Sequence, residues 1–178
     1  PMPEEPIIFL KPDTSVIGPD DAIISPKGVK DLNYEAELVV VIKDKIKDVS
    51  VEDAKNHIFG YTCGNDITAA DFMIKGKPWA KAKCYDTFMP IGPCIVDGLD
   101  GDNLNIKMYH NGKLTQDGNT SDMVFNVSQI ISFVSHIMTL NPGDIISTGT
   151  PPGKGKIVPG DVIEVEIEGI GRLTNKVV

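Results

Sequence analysis

Two glutamates one residue apart, Glu35 and Glu37, stand at the head of the apolar run Leu38–Ile42. Side chains on a strand alternate between faces with a period of two. Glu35, Glu37, Val39 and Val41 therefore share one face, and Tyr34, Ala36, Leu38, Val40 and Ile42 the other. Both faces are apolar beyond Glu37, so this end of the strand is buried on both sides. The two carboxylates then sit at the mouth of a core, about 7 Å apart along the strand. Neighbouring buried carboxylates repel each other and resist desolvation. A hard divalent cation relieves both costs, and oxygen-only ligation selects Mg2+, Mn2+ or Ca2+ over zinc.

Glu-x-Glu on a strand is ordinarily a solvated face. The chain contains such a case: Glu164, Glu166 and Glu168 alternate with Ile163, Val165 and Ile167 and call for no metal. The Glu35–Glu37 face differs because it runs on into Val39 and Val41. The best third ligand is Asp66, in Tyr61-Thr-Cys-Gly-Asn-Asp66, after an apolar strand and a glycine. A plain turn aspartate is the alternative there, and Asp71 is a weaker rival.

Two further segments have chemical character. Lys81-Ala-Lys83-Cys-Tyr-Asp86 brings cations beside the expected anionic or metal site, although a lone lysine is usually a surface residue. Ser147-Thr-Gly149-Thr150-Pro-Pro-Gly-Lys-Gly155 is a small-residue loop whose backbone donors and hydroxyls could receive a carboxylate. Its spacing is not that of a P-loop, and a simple glycine-rich turn is the alternative. His57, His110 and His136 lie away from these segments in sequence and read as structural or exposed. Cys63 and Cys84 lie near the proposed site without an evident histidine partner, which argues against a thiol nucleophile.

The elements that must position these groups read as mostly β. Residues 1–12 form an extended entry punctuated by Pro1, Pro3, Pro6 and Pro12. Strands are predicted at 22–24, 32–43, 58–63, 89–97, 144–147, 162–167 and 172–178. Residues 64–81 read as an irregular, partly helical excursion. A short helix is predicted over 51–56, capped by Ser50. Asn111-Gly112 between 104–109 and 113–116 is a hairpin signal. Ile130, Ile131, Val134, Ile137 and Met138 recur at helical spacing, which predicts a helix over 127–140 ended by Pro142-Gly143.

A length of 178 residues suits one domain. With 41% hydrophobic and 24% charged residues, it has the balance of a globular chain and not of a disordered one. A net charge of −8 argues against nucleic acid or an anionic membrane as partner. Three cysteines without zinc-type spacing fit a reducing cytoplasm. No apolar run approaches a membrane span, and no signal peptide is visible.

The segments taken together resemble the fumarylacetoacetate hydrolase family. The resemblance rests on Phe9-Leu-Lys-Pro12, Leu32–Val41, Gly60–Asp66, Lys83–Pro93, Gln116–Phe125 and Gly149-Thr150-Pro-Pro-Gly, in family order along nearly the whole chain. It implies a mainly β fold with a few helices, a mixed β-roll, and often a homodimer. It implies a bound Mg2+ or similar ion and small 2-oxo acid or dicarboxylate substrates. The reactions it implies are C–C hydrolysis, decarboxylation or enol–keto isomerisation. The family's metal triad falls on Glu35, Glu37 and Asp66, and its site lysine on Lys83. The threonine that meets the substrate carboxylate falls on Thr150, with Gly149 beside it. The implied mechanism is a metal-stabilised enolate with Lys83 adding positive charge.

Overall similarity favours the 2-hydroxyhepta-2,4-diene-1,7-dioate isomerase type. The alternatives are an acylpyruvate hydrolase or oxaloacetate decarboxylase, or a non-catalytic module that binds metal or 2-oxo acid. Two departures bear on this choice. Many members place Arg and Gln where this chain has Ala70 and Met73, which leaves Lys75 or Lys77 to compensate. Many also carry a His-x-x-Glu pair in a lid upstream of the segment that matches Pro1–Lys11. Either that segment is missing through truncation or disorder, or the chain lacks the hydrolytic base; the expectation is the former, a single catalytic β-roll over residues 1–178 missing its N-terminal lid segment, since lids are mobile and termini are often unordered.

Overall fold

The computed structural model describes residues 3–178, so Pro1 lies outside the described residues. Its strands are β1 (Val16–Ile17), β2 (Ala22–Ile23), β3 (Leu32–Tyr34), β4 (Ala36–Ile42), β5 (Ile58–Asn65), β6 (Thr68–Ala69), β7 (Met89–Val96), β8 (Asn105–His110), β9 (Lys113–Asn119), β10 (Ile145–Ser147), β11 (Gly155–Ile157), β12 (Val162–Ile167) and β13 (Gly171–Val177). The helices are α1 (Ala80–Lys83) and α2 (Val127–Ile137), with short 3-10 turns between strands.

All seven residues of β4 are buried, as its two apolar faces require. It lies in a sheet ordered β1-β7-β5-β4-β10. A second sheet runs β2-β13-β12-β8-β9, and a small one β11-β3-β6 joins their neighbourhood. Most neighbours are antiparallel, but β1 with β7 and β2 with β13 are parallel. This is the mixed β-roll. One contiguous core joins the sheets: Leu32 and Tyr34 from the small one, Val40 and Cys63 from the first, and Ile106 and Val165 from the second. Ile131 and Val134 of α2 close it. Among the described residues, no helix is long and apolar enough to cross a membrane.

Three predicted elements are redrawn. The expected strand 32–43 is two strands that meet at Glu35. β3 pairs with β6 and β11, whereas β4 pairs with β5 and β10. The predicted helix 51–56 is a turn leading into a 3-10 helix at Ala54–His57, although Ser50 Oγ does accept from Asp53 N. Helix α2 begins where expected, with an Asn126–Gln129 capping box, but ends at Ile137. Met138 is extended there because Leu140 is drawn into a two-bond bridge with Ile46.

The hairpin is as expected, with Asn111 and Gly112 both at positive φ, the geometry that favours Asn-Gly. The alternating glutamates of β12 point outward, and Glu164 and Glu166 pair with Arg172 across the sheet.

Candidate active site

Strand register brings the acidic residues together. Ala36 opposes Asn65, so Glu35 and Asp66 lie side by side where β4 begins and β5 ends. Asp66 N donates to Glu35 O at 2.9 Å, and Glu35 N donates to the Asn65 side chain at 2.9 Å. Glu37 follows one residue into β4. Glu35, Glu37 and Asp66 are 6%, 4% and 2% exposed, and each offers an oxygen within 4.8 Å of the other two.

The small-residue loop after β10 holds Glu37 in place. Glu37 Oε2 accepts from Gly149 N at 2.9 Å and from the Ser147 hydroxyl. Burial, then the Asp66 charge, pushes the Glu37 carboxyl up to about 8, against the pull of these donors. The N–H of Gly149 is thus committed to Glu37. Thr150 accepts from Gln116 Nε2 at 2.9 Å, which leaves its own hydroxyl proton free to donate.

Lys83 comes from α1. Its Nζ lies 2.7 Å from Glu35 Oε2 and 2.5 Å from Asp66 Oδ2, and it is 3% exposed. Burial alone lowers the pKa of its ammonium, but the Asp66 and Glu35 charges outweigh it and raise the net value. Lys83 is therefore a fixed cation. Phe9 lies beneath it, with Nζ 5.1 Å from the ring centroid.

Sequence reasoning did not single out three positions that complete the site. Lys11 reaches Asp66 Oδ1 at 2.5 Å from the extended entry segment. There burial outweighs Asp66, and the Lys11 pKa is lowered. Lys154 reaches Glu35 Oε1 at 3.2 Å from the loop before β11. Gln116 on β9 is the third. Its Oε1 accepts from Ala36 N at 3.0 Å, and its Nε2 donates to Thr150 and to Pro151 O. One buried amide thus ties the backbone between the two glutamates to the loop after β10. The Phe9–Pro12 and Gln116–Phe125 motifs contained two of these residues but carried no signal of what they touch.

Lys75 and Lys77 are exposed and form no ion pair among the described residues. The histidines lie elsewhere: His57 faces Asp44, His110 faces Asp161, and His136 bonds to Ser132 O. All three cysteines are free.

The donor set fits a hard divalent cation. It consists of three buried, converging carboxylates, without a nitrogen or sulfur ligand, and Glu37 is held above the ordinary carboxylate range until something neutralises the cluster. A β-roll with a buried triad of acids and a lysine wedged among them defines a class of acidic-site β-roll proteins.

The chain belongs to the fumarylacetoacetate hydrolase family. The family model "Fumarylacetoacetate (FAA) hydrolase C-terminal" matches residues 1–178. The chain is 42% identical to the mitochondrial oxaloacetate tautomerase FAHD2A of Homo sapiens, covering 100% of this chain and 60% of that protein. It superposes on the crystal structure of 2-hydroxyhepta-2,4-diene-1,7-dioate isomerase from Mycobacterium marinum with a TM-score of 0.97 and 45% identity, covering 99% of this chain and 70% of that one. It is also similar to fumarylpyruvate hydrolase from Pseudomonas aeruginosa, solved with Mn2+ and pyruvate, with a TM-score of 0.92 and 30% identity. That match covers 98% of this chain and 80% of that one.

Proposed function

We propose that this protein is a divalent-metal-dependent enzyme that acts on small 2-oxo acids. Its metal ligands are Glu35, Glu37 and Asp66, the ion is Mg2+ or Mn2+ (with Ca2+ as a weaker fit), and Lys83 is the catalytic cation. The observation that carries this reading is the contact of one buried lysine with two of three converging carboxylates. The ion, when bound, supplies Lewis-acid stabilisation of negative charge on the substrate's 2-oxo oxygen. Lys83 holds a fixed positive charge at the same place without reorganisation. Thr150 donates its hydroxyl to the substrate carboxylate, Gly149 and Ser147 hold Glu37, and Gln116 fixes the spacing between loop and acids.

The reaction subtype we favour is enol–keto isomerisation of a 2-hydroxydienedioate or a similar enol. The near-complete superposition on an isomerase supports it. Hydrolysis or decarboxylation of an acylpyruvate-type substrate is the second reading, supported by the likeness to a hydrolase. We place the working unit as a homodimer. The exposed apolar side chains Phe59 and Ile95 on adjacent strands β5 and β7 offer a surface for it, and light scattering tests it.

The test of function is titration of Mg2+ and Mn2+ with assay of the enol–keto interconversion by ultraviolet absorbance. Glu37→Gln and Asp66→Asn each weaken metal binding by more than about tenfold, since each removes one charged donor. Lys83→Met retains the metal but loses most of kcat. Full activity and metal affinity in the Asp66→Asn protein would refute the assignment.

A further inference from the structure

The chain upstream of Pro12 is attached differently from the rest of the fold. From Pro12 onward it is anchored: Pro12 O accepts from Ser15 N at 3.0 Å and from Ser15 Oγ at 2.6 Å, and Ser15 is fully buried. Among the described residues, 3–11 make no backbone–backbone hydrogen bond. Ile7 and Leu10 are 67% and 69% exposed, and Ile8 and Phe9 are only half-buried. A segment with a solvated backbone and few buried contacts opens at low cost.

Besides the partial packing of Ile8 on the core, three contacts tie this segment down. Phe9 meets Trp79 edge-on with ring centroids 5.5 Å apart, and the same ring lies 5.1 Å from Lys83 Nζ. Leu10 O accepts from the Cys84 thiol at 3.1 Å. Lys11 Nζ reaches Asp66 Oδ1 at 2.5 Å, the one charged tie among the described residues.

That charged tie competes with the use of Asp66 as a metal ligand. Asp66 Oδ2 is held by Lys83 at 2.5 Å, so both oxygens carry an ammonium. A divalent cation taken by Asp66 repels both. Lys83 has little freedom to yield, because it is 3% exposed at its side chain, lies on α1 and also holds Glu35 Oε2 at 2.7 Å. Lys11 is 11% exposed, has one acidic partner and sits on the weakly attached segment. Lys11 is therefore the ammonium that gives way.

We propose that residues 3–11 form a strap released by the metal. A divalent cation held by Glu35, Glu37 and Asp66 drives Lys11 off Asp66, and the strap swings about Pro12, taking the Phe9 ring away from Trp79 and Lys83. The ion thereby uncovers the lysine that acts beside it. This rests on the reading of the three carboxylates as a metal site.

Trp79 is the only tryptophan of the chain, so its emission reports the Phe9 contact. Mg2+ is titrated into the full chain with fluorescence and calorimetry in parallel. The emission shifts to the red with the same midpoint as the heat. Iodoacetamide labelling of Cys84 speeds up severalfold with Mg2+, because the thiol has lost Leu10 O, while Cys94 labels at an unchanged rate. Lys11→Ala shows the red-shifted emission and the fast Cys84 labelling without Mg2+. It binds Mg2+ tighter by about tenfold or more, the worth of a hydrogen bond to a charged group. Glu37→Gln leaves the Lys11 contact in place and shows neither change at Mg2+ concentrations that saturate the wild type.

Binding of Mg2+ to the wild type with either reporter unchanged would overturn the proposal, since the strap then stays in place. Unchanged Mg2+ affinity in Lys11→Ala would overturn it by removing the competition. A full red shift in Glu37→Gln would overturn it by placing the cause outside the triad. Absence of heat on adding Mg2+ to the wild type would overturn the metal reading as well, and the calorimetry separates that result from a strap that does not move.

Discussion

At the scale of single residues, Gln116 shows how much of the site's framework depends on an amide outside the acidic triad. Its amide accepts from Ala36 N and donates to Thr150 and Pro151 while 1% exposed. Gln116→Leu leaves a buried backbone donor without an acceptor, which costs about 1–3 kcal/mol. Urea denaturation reads that loss, and a raised KM with the metal affinity largely kept marks the released loop. The cysteines give a second residue-scale expectation. Burial pushes the Cys63 thiol up to about 12, whereas Cys94 is exposed. Only a thiolate attacks an alkylating reagent. Iodoacetamide at pH 8 therefore labels Cys94 and spares Cys63 in the folded protein, as mass spectrometry of peptides will show. Rapid labelling of Cys63 would mean that β5 opens far more readily than its burial implies.

At the scale of elements, helix α2 separates two sources of stability. Its N-terminus is closed by the Asn126–Gln129 capping box, and Ile131 is fully buried beneath it. Asn126→Ala costs about 1 kcal/mol, and Ile131→Ala about 2–5 kcal/mol. Chemical denaturation of the two variants checks that order, and a reversed order would mean that the helix is held by its end and not by its packing. This helix, the Asn111-Gly112 hairpin and β12 were legible in the sequence because each carries several residues of period or a turn signal. The acidic pair was legible for the same reason, since the Glu35–Glu37 face continues into Val39 and Val41.

The break between β3 and β4 was not legible. It depends on a side chain thirty residues away, Asn65, which takes the N–H of Glu35. Strands of two or three residues such as β1, β6 and β11 have too little length to show a period. Lys11 and Lys154 were hidden for a related reason. A lysine's spacing says nothing of its partner, and only the register of β3 with β11 shows where Lys154 points.

At the scale of the whole molecule, the −8 charge includes three carboxylates packed within one cluster. Lys11, Lys83 and Lys154 offset them, but Glu37 still rests near 8, through burial first and Asp66 second. The folded metal-free protein then holds a proton on Glu37 that the unfolded chain releases above the ordinary value near 4.5. With the native state binding more protons than the unfolded one, this group makes stability fall as pH rises from about 4.5 to 8. A divalent ion held by the triad would cancel this fall, because it must expel that proton and binds only the folded triad. Its affinity therefore climbs with pH over the same window and levels off above about 8. At a hundred times Kd, the ion adds about 2.7 kcal/mol. For a chain of this size that raises Tm by about 5–10 °C. Thermal scans at pH 6, 7 and 8, with Mg2+ and with EDTA, should show the gap between the two curves widening with pH. Calorimetry in buffers of different ionisation heat should find proton release that fades above pH 8. A gap that narrows with pH would show that the ion does not displace the Glu37 proton.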